Sequence, residues 1–307
     1  MGAYILGRIL QSVVSILVIS LMVFTLVRIG GDPTEAFVPE EATEATVELI
    51  RARLGLDKPF YQQYWIFFKD MVQGDLGESK VTKEPVTGKL LERLPATLSL
   101  AGISMAIALV IALPLGVLSA VYRDTPIDRL AKIVAFLGQS TPQFWMAIML
   151  MVLFGVILQV LPVAGRGGPS TYVLPGITMG WFVVAGVVRL TRSSMLDVLD
   201  SDYITMARAK GLSERIVVWK HALRNAMIPV LTFSGLILGG FMNGSVVVEV
   251  VFAWPGLGRL ALDAVVSRDF PVVQGMVMMV GAFFIAINLL VDLLYAAIDP
   301  RIKYTSQ

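Results

Sequence analysis

The sequence predicts an all-α membrane protein with six transmembrane helices. Of its 307 residues, 56% are hydrophobic and 16% are charged, whereas soluble domains contain about 25% charged residues. Six apolar runs are long enough to cross a bilayer, which takes about 20 residues in a helix. Lysine and arginine are concentrated in the loops that six spans place on one side, as the positive-inside rule requires. These observations exclude a water-soluble globule.

The apolar runs define the spans and one interruption. They cover Ile9–Ile29, Leu98–Val121, Ile133–Val163, Gly167–Val188, Ala226–Val248 and Val272–Val291. The third run is too long for one straight span and contains Pro142 within a polar stretch. Because proline lacks an amide proton, we expect a kink or an interfacial turn there. The first run is too long for the apolar part of a signal peptide, so we expect a retained helix.

The spans divide the chain into three parts. Residues 1–29 form the cytoplasmic N-terminus and the first span, residues 30–97 form an outer helical insertion, and residues 98–307 form a five-helix core. Basic residues are dense in the loop at 189–226 and sparse in the short outer loops. Both termini are therefore expected in the cytoplasm.

The outer insertion contains a predicted aromatic helix. Asp57 can cap this helix, Pro59 suits its first turn and Gly74 ends it. Its aromatic side chains are Phe60, Tyr61, Tyr64, Trp65, Phe67 and Phe68. Such a helix lies on the membrane interface, where aromatic rings are favoured, or forms an outer surface that contacts a substrate-delivery partner. Both hypotheses stay open at this point.

The inner loop at 189–226 contains two predicted amphipathic helices. The first carries an apolar stripe of Met195, Val198, Leu199, Tyr203 and Met206. Gly211 interrupts the stripe, and Ser213 can cap a second helix with Ile216 and Val217. Two short helices joined at a glycine suit docking into a groove of another protein. A basic helix pair suits anionic lipid equally well, so the pattern alone does not decide between these partners.

Several function classes lack the residues that they need. The sequence has no cysteine and one histidine, His221, which excludes disulfides, thiolate sites and multi-histidine metal sites. His221 is expected to be a packed or hydrogen-bonded residue. The sequence contains no phosphate-binding loop and no metalloprotease or serine-hydrolase motif. Its net charge of +2 is too balanced for a nucleic-acid binder.

The charges near the spans argue against a self-sufficient carrier. Arg28, Arg189, Glu249 and Asp292 each lie near the end of a predicted span, where long side chains reach the polar region. A proton-coupled carrier more often places a carboxylate at the bilayer centre, and the two halves of the sequence show no inverted repeat. We therefore expect Glu249 at the interface and an energy source on a partner at the cytoplasmic side.

The segment from Asp202 to Arg215 closely resembles the cytoplasmic EAA loop of ABC importer permeases. The resemblance extends, in order and over nearly the whole chain, to the dipeptide/oligopeptide branch of that family. The other similar segments are Gly31-Asp32-Pro33, Leu54-Gly55-Leu56-Asp57-Lys58-Pro59, Gly74-Asp75-Leu76-Gly77, His221-Ala222-Leu223-Arg224-Asn225-Ala226, Trp254-Pro255-Gly256-Leu257-Gly258-Arg259, Arg268-Asp269-Phe270-Pro271-Val272-Val273-Gln274-Gly275 and Asp299-Pro300-Arg301-Ile302. Thr205 stands where the general pattern has a glutamate, so no carboxylate contact is assigned there.

The resemblance implies a type I ABC importer permease fold in a bacterial or archaeal inner membrane, with the 30–97 insertion in the periplasm. The chain would form the translocation path with a second, related permease. Two cytoplasmic ATPase subunits would bind ATP and Mg²⁺, and a periplasmic or lipid-anchored solute-binding protein would deliver the substrate. The chain itself would be no enzyme and would hold no cofactor.

The family branch also implies a substrate class. Di- or oligopeptides are the expected substrates. Nickel, glutathione or another small solute is the alternative within the same importer class, and a self-sufficient secondary carrier is the alternative outside it. Since a separate binding protein sets much of the specificity in this architecture, the substrate is left open.

The resemblance assigns ATPase coupling to a short helix within the inner loop. Its residues are Ala207, Arg208, Ala209, Lys210, Gly211, Leu212, Ser213, Glu214 and Arg215. The charged members of this set are expected to pair with charges on the ATPase. Polar residues in or beside the spans are candidates for lining the path, because polar groups in lipid need partners. They are Gln139, Ser140, Thr141, Gln143, Asn243, Ser245 and Asn288.

Small residues on the fifth span indicate close helix packing, which glycine permits by letting backbones approach. They are Gly235, Gly239, Gly240 and Gly244. Their spacing keeps them near one face of a helix, and the partner expected on that face is the second permease.

Overall fold

The computed structural model describes residues 2–29 and 57–298, with isolated positions between residues 45 and 52. Only the backbone is described for residues 2–4, 243–245 and 291–298. The motifs at 31–33, 54–56 and 299–302 therefore lie outside the described residues. The regular elements in the described ranges are helical, and one isolated bridge joins Glu78 and Pro85.

The helices are numbered in chain order. They are α1 (Gly2–Ile29), α2 (Phe60–Val72), α3 (Val86–Val121), α4 (Pro126–Ser140), α5 (Gln143–Leu150), α6 (Val173–Leu199), α7 (Asp202–Ala209), α8 (Glu214–Ile216), α9 (Leu223–Val251), α10 (Leu257–Val266) and α11 (Phe270–Ile298). A π-helical segment follows α5 (Met151–Ile157) and another follows α8 (Val217–Ala222), and a 3₁₀ turn (Pro169–Tyr172) precedes α6.

Five continuous stretches in the described residues, along α1, α3, α6, α9 and α11, are long and apolar enough to cross a membrane. Helix α4 and helix α5 with its π segment are bent by 108° between Ser140 and Gln143, and they give a sixth span if the pair is counted as one. The interruption predicted at Pro142 is confirmed, because Pro142 has an extended backbone and cannot continue the helix.

The first compact unit consists of residues 1–95 and 256–307. In this unit α1 packs along α11, where a Cβ added to Gly281 would lie 3.2 Å from the Ile19 side chain. Helix α2 packs against α1. Many other side chains of α1 are exposed, among them Leu10, Met22 and Leu26, as a lipid-facing span requires.

A buried carboxylate joins two loops of the first unit. Asp269, immediately before α11, accepts hydrogen bonds from the Ser79 hydroxyl at 2.5 Å and from the Lys80 backbone N–H at 2.9 Å. Asp269 is almost fully buried, and a buried carboxylate needs such donors. One contact therefore joins two of the segments named above: the motif that begins at Arg268 and the loop that follows the Gly74–Gly77 motif.

The second compact unit, residues 96–255, has α6 at its centre, packed against α4, α5 and α9. Close approach depends on glycine. A Cβ added to Gly180 of α6 would lie 2.8 Å from the Ser104 carbonyl oxygen of α3, and one added to Gly138 of α4 would lie 2.7 Å from the Ala185 side chain. Small residues at these crossings let the helix backbones meet.

The start of α3 and the start of α2 differ from the predictions. Helix α3 begins at Val86, ahead of the predicted apolar run, because Val86 and Leu90 are already buried against Gly275. Asp57 does not cap α2: the N-cap residue is Pro59, and no side chain makes a capping hydrogen bond there.

The end of α9 is buried, so the Glu249 side chain does not reach the polar region as a free interfacial charge would. Glu249 is fully buried and accepts a hydrogen bond of 2.7 Å from the Thr97 hydroxyl. Trp254, which follows α9, is also fully buried; its Nε1–H donates to the Ala96 carbonyl at 3.0 Å and its ring meets Tyr172 edge-on at 4.6 Å. Hydropathy alone gave no sign of this enclosure.

Candidate functional site

The coupling segment, residues 202–222, contains α7, a turn, α8 and the π segment that follows α8. Helix α7 ends because Gly211 has a φ of +79°. The Gly211 N–H donates to the Arg208 carbonyl at 2.9 Å, and the Leu212 N–H donates to the Ala207 carbonyl at 3.4 Å. This is the Schellman pattern that ends helices at a left-handed glycine. The prediction of a single short helix over residues 207–215 is therefore wrong.

An ion pair closes the turn of the coupling segment. Arg208 Nη2 donates to Glu214 Oε1 at 2.7 Å, and Arg208 Nε donates to Glu214 Oε2 at 3.2 Å. This hydrogen bond and the Glu214 charge raise the pKa of the Arg208 guanidinium above its usual value. The side chains are 43% and 56% exposed, and exposed pairs contribute only about 0.2–1 kcal/mol. Lys210 and Arg215 remain exposed on the surface.

Ser213 occupies the N-cap position of α8, as predicted, but its side chain makes no capping hydrogen bond. The exposed surface of the coupling segment carries large apolar side chains among charged ones. Its exposed large side chains are Tyr203, Met206, Leu212, Ile216 and Trp219. Tyr203 and Met206 belong to the predicted amphipathic stripe, and the exposure of Trp219 was not predicted. An exposed apolar cluster with a charged rim is typical of a protein interface.

The inner face of the coupling segment packs on the second unit. Ile204 of α7 is fully buried and belongs to a cluster with residues from the ends of α3 and α6. The buried members are Val117, Ala120, Met195, Ile204, Val217, Val218, Ala222 and Ala226. The Asn225 side-chain amide also donates to the Tyr203 hydroxyl at 2.8 Å. The coupling segment therefore packs directly on the ends of α3 and α6.

A buried carboxylate near the same ends was not predicted. Asp128, in the first turn of α4, is fully buried and accepts hydrogen bonds from Ser119 of α3 at 2.6 Å and from Arg192 of α6 at 2.7 and 3.1 Å. Lys132 approaches it at 2.8 Å, and the Asp124 backbone N–H donates at 3.0 Å. The signal in the sequence was an acidic residue just after Pro126 at a helix start, where the helix dipole favours negative charge.

The candidate path residues do not form one cluster. Gln139 and Ser140 are exposed at the end of α4, while Thr141 and Gln143 are half-buried at the bend. The Gln139 side-chain oxygen accepts a hydrogen bond of 2.8 Å from Arg189. Asn288 is half-buried on α11 in the first unit. The side chains of Asn243 and Ser245 lie outside the described residues.

The glycines predicted to mediate packing on the fifth span lie on α9 with different surroundings. Gly239 is buried, and Gly235 and Gly240 are half-buried. A Cβ added to Gly240 would meet nothing within 4 Å, so the structure shows no close packing at that position. For Gly244 only the backbone is described.

The described side chains offer no metal site. No group of three or more histidine, aspartate or glutamate side chains is placed to hold an ion in this part of the chain. His221 is half-buried in the π segment, and its carbonyl accepts a hydrogen bond of 3.3 Å from the Asn225 side chain. The candidate site is a surface supported by a packed core.

The chain is similar to known transport proteins over almost its whole length. Residues 112–304 match the family described as binding-protein-dependent transport system inner membrane component, and residues 1–101 match the N-terminal family of the same systems. The glutathione transport system permease protein GsiC of Pectobacterium atrosepticum is 45% identical over 302 residues, covering 98% of this chain and 99% of the relative. GsiC of Escherichia coli K12 is 44% identical with the same coverage.

Solved structures share the fold at low sequence identity. A subunit of the inward-facing MetNI methionine ABC transporter superposes with a TM-score of 0.59 at 18% identity, covering 69% of this chain and 96% of that subunit. A subunit of an amino acid ABC transporter gives 0.55 at 17% identity, covering 69% and 95%. These structures establish the type I permease fold, and the family matches establish the kinship: the chain belongs to the inner-membrane components of binding-protein-dependent transport systems, as an ABC importer permease subunit.

Proposed function

We propose that this permease couples to two cytoplasmic ATPase subunits through residues 202–222 and carries glutathione or peptides of similar size. The observation that supports coupling most strongly is the two-sided character of the segment. Its outer side exposes an apolar cluster with charges at the rim, and its inner side is buried on α3 and α6. A loop that only rested on lipid would not need this buried support.

The proposed mechanism is mechanical. The ATPase subunits bind and hydrolyse ATP with Mg²⁺, and their closure moves the coupling segment. Ile204 and its buried neighbours pass this displacement to the ends of α3 and α6. Asp128 holds α3, α4 and α6 together at the same level through Ser119 and Arg192. The three helices therefore move as one body, which a rocking transport cycle requires.

The remaining partners follow from the family. A second, related permease completes the translocation path, and the open position at Gly240 of α9 supports contact with another membrane subunit. A solute-binding protein delivers the substrate at the periplasmic side. This arrangement places the coupling segment and both chain termini in the cytoplasm of a multi-pass inner-membrane protein, in agreement with the basic inner loop.

The substrate proposal rests on the relatives. Permeases named for glutathione transport are 44–45% identical to this chain over 302 residues. Glutathione is itself a tripeptide, so it lies within the peptide class expected from the sequence. Gln139, Thr141 and Gln143 offer uncharged hydrogen-bonding groups at the bent span, which suit a peptide backbone better than a bare metal ion.

The test is transport by the complete importer. The chain would be co-expressed with its ATPases, second permease and binding protein, purified, and reconstituted into liposomes with ATP inside or outside. ATP-dependent uptake of labelled glutathione or a tripeptide, competed by the other, supports the proposal. Uptake of Ni²⁺ without peptide uptake overturns the substrate class, and uptake by the chain alone without ATP overturns the importer mechanism.

A further inference from the structure

Helix α2 is attached to the side of the first span by an aromatic cluster. Phe24 of α1 is fully buried, and its ring centroid lies 5.2 Å from that of Phe60, 5.3 Å from that of Tyr64 and 5.4 Å from that of Phe67. The Tyr64 hydroxyl also lies 2.9 Å from the hydroxyl of Ser20, which is fully buried. About two turns of α2 therefore contact one region of α1.

The position of this contact along α1 sets the depth of α2. The membrane-spanning stretch of α1 covers Ile5–Ile29, so its midpoint is at Leu17. Phe24 lies about 10 Å along the helix axis from Leu17 at 1.5 Å per residue. The hydrocarbon core extends about 15 Å on each side of its midplane. The contact at Phe24 is thus inside the hydrocarbon boundary, and the contact at Ser20 is deeper.

A polar group marks the level where the hydrocarbon ends. Arg28 Nε donates to the Gln63 side-chain oxygen at 2.9 Å, and the Arg28 guanidinium carbon lies 3.5 Å from the Phe24 ring centroid. An arginine near the end of a span directs its charge to the headgroup region. Gln63 therefore lies at the polar boundary, and the neighbouring Tyr64 side chain points below it.

The part of α2 that faces away from α1 has an apolar stripe and a polar stripe. The apolar stripe has the helical spacing i, i+4, i+7 and i+11 and consists of Tyr61, Trp65, Phe68 and Val72. Tyr61, Trp65 and Val72 are 65–69% exposed. The polar stripe is exposed as well and consists of Gln62, Lys69 and Gln73. This division is typical of a helix lying in the plane of a membrane interface.

We propose that α2 lies in the bilayer interface, with the Tyr61–Val72 stripe inserted among lipid acyl chains and Lys69 at the phosphate level. Two independent observations agree: the depth of the Phe24 contact and the exposed aromatic stripe. The stripe continues the lipid-facing surface of α1, where Leu21, Met22 and Leu26 are exposed. A soluble partner would have to displace lipid to reach it. The first span and α2 thus form one membrane anchor for the outer insertion.

The absence of cysteine from the chain makes a direct test possible. Single variants Tyr61→Cys, Trp65→Cys, Gln62→Cys and Lys69→Cys would be labelled with a nitroxide in the assembled importer in nanodiscs. Collision with oxygen, which concentrates in lipid, would be compared with collision with a water-soluble nickel chelate. Leu26→Cys on α1 is the lipid reference, and Glu84→Cys, at an exposed position just before α3 and outside the coupling segment, is the water reference. The unsubstituted chain in the same complex gives the background from partner cysteines.

The proposal predicts that positions 61 and 65 match the lipid reference, with an oxygen-to-nickel ratio several-fold above that at positions 62 and 69. If Trp65→Cys fails to assemble, Val72→Cys on the same stripe replaces it. Positions 61, 65 and 72 with the nickel accessibility of the water reference would overturn the proposal. Protection of these positions only after the binding protein is added would assign the stripe to that protein instead. Neither result bears on ATPase coupling.

Discussion

Two helices of the second unit end in the same turn, but the structure supports the two turns differently. Helix α7 ends at Gly211, with φ of +79° and nothing within 4 Å of an added Cβ. Helix α9 ends at Ala253, with φ of +49°, and the Trp254 N–H donates to the Glu249 carbonyl at 2.7 Å. The α9 turn is held by buried Phe252 and Trp254, whereas the α7 turn is exposed and depends on glycine and one ion pair.

The difference shows that a left-handed residue at the end of a helix can be accommodated in two ways, by glycine or by the burial of neighbouring side chains. Left-handed backbone costs an ordinary residue about 1–2 kcal/mol. Burial of a large aromatic side chain next to Ala253 offsets that cost, so alanine is tolerated there. No such burial occurs at Gly211, because the coupling segment keeps its surface open. We therefore expect substitutions at the α9 turn to change stability and substitutions at the α7 turn to change coupling.

The largest expected effect is that of Trp254→Ala. This change removes a fully buried ring, its hydrogen bond to Ala96 and its contact with Tyr172. The free energy of unfolding should fall by about 3–5 kcal/mol, measured by denaturant titration in mixed micelles. Trp219→Ala is the matched control, because Trp219 is 43% exposed; it should leave stability nearly unchanged and reduce substrate-stimulated ATPase activity. Equal losses of unfolding free energy in both variants would contradict the claim that burial supports the α9 turn but not the α7 turn.

Asp128→Asn should have the next largest effect. The neutral amide leaves Arg192 without its buried charge partner and cannot accept the same set of hydrogen bonds. The expected loss is about 1–3 kcal/mol of unfolding free energy, together with weaker coupling between ATP hydrolysis and uptake. Asp124→Asn is the control, since Asp124 is exposed and its side chain pairs with exposed Arg123 at 3.5 Å. If Asp128→Asn were as stable and as well coupled as this control, α3, α4 and α6 would not move as one body.

Gly211→Val tests the α7 turn against a glycine of the same conformation. Gly211 has φ +79° and Gly165 has φ +81°, and neither has an atom within 4 Å of an added Cβ. Both valine variants should therefore carry about 1–2 kcal/mol of similar local strain. Only Gly211→Val should abolish uptake or uncouple ATPase activity, measured in reconstituted importer. Comparable transport in the two variants would contradict a specific role of the α7 turn in coupling.

The Arg208–Glu214 pair should contribute less. A double-mutant cycle with Arg208→Ala and Glu214→Ala is expected to give a coupling free energy of about 0.2–1 kcal/mol, because both side chains are half exposed. The value should fall as salt is raised. A coupling energy that is larger and independent of salt would mean that the turn is buried in the assembled importer.

Ala253→Gly should have a small effect of the opposite sign. Relief of the left-handed strain, about 1–2 kcal/mol, is partly offset by the greater freedom of glycine in the unfolded chain, about 0.4–1 kcal/mol. A net gain of about 0–1.6 kcal/mol in the free energy of unfolding should appear in the same denaturant titration. A loss of stability would show that the Ala253 methyl group, rather than Trp254, secures the turn.

The apolar runs predicted the spans well because membrane insertion depends on local composition. The bend at Pro142 followed from one missing amide proton, and the break at Gly211 followed from one flexible residue. Local sequence patterns do not predict contacts between residues that are distant in sequence. Ser79 with Asp269, Thr97 with Glu249, and Asp128 with Arg192 each join residues more than 60 positions apart, so hydropathy and periodicity could not find them.

The form of the coupling segment was predicted in part, and its role in coupling stays a prediction. The pattern of the inner loop predicted the break at Gly211, which its positive φ confirms, whereas the single helix over residues 207–215 implied by the resemblance is wrong. The exposed position of Trp219 depends on the π segment Val217–Ala222, because an extra residue per turn rotates the helix face. Such a segment is decided by tertiary packing, in this case the burial of Val217 and Val218, and has no simple sequence signal.

The most direct test of ATPase coupling is a cross-link from the coupling segment to an ATPase subunit. Met206→Cys and Leu212→Cys place single cysteines on the exposed surface of the segment, and Tyr122→Cys places one at an exposed position outside it. In the purified importer, we predict that a short thiol cross-linker joins positions 206 and 212 to an ATPase subunit, with a yield that changes between nucleotide-free and ATP-bound states, and that position 122 gives less product. An intact complex in which neither position 206 nor position 212 cross-links to an ATPase would contradict the assignment of coupling to residues 202–222.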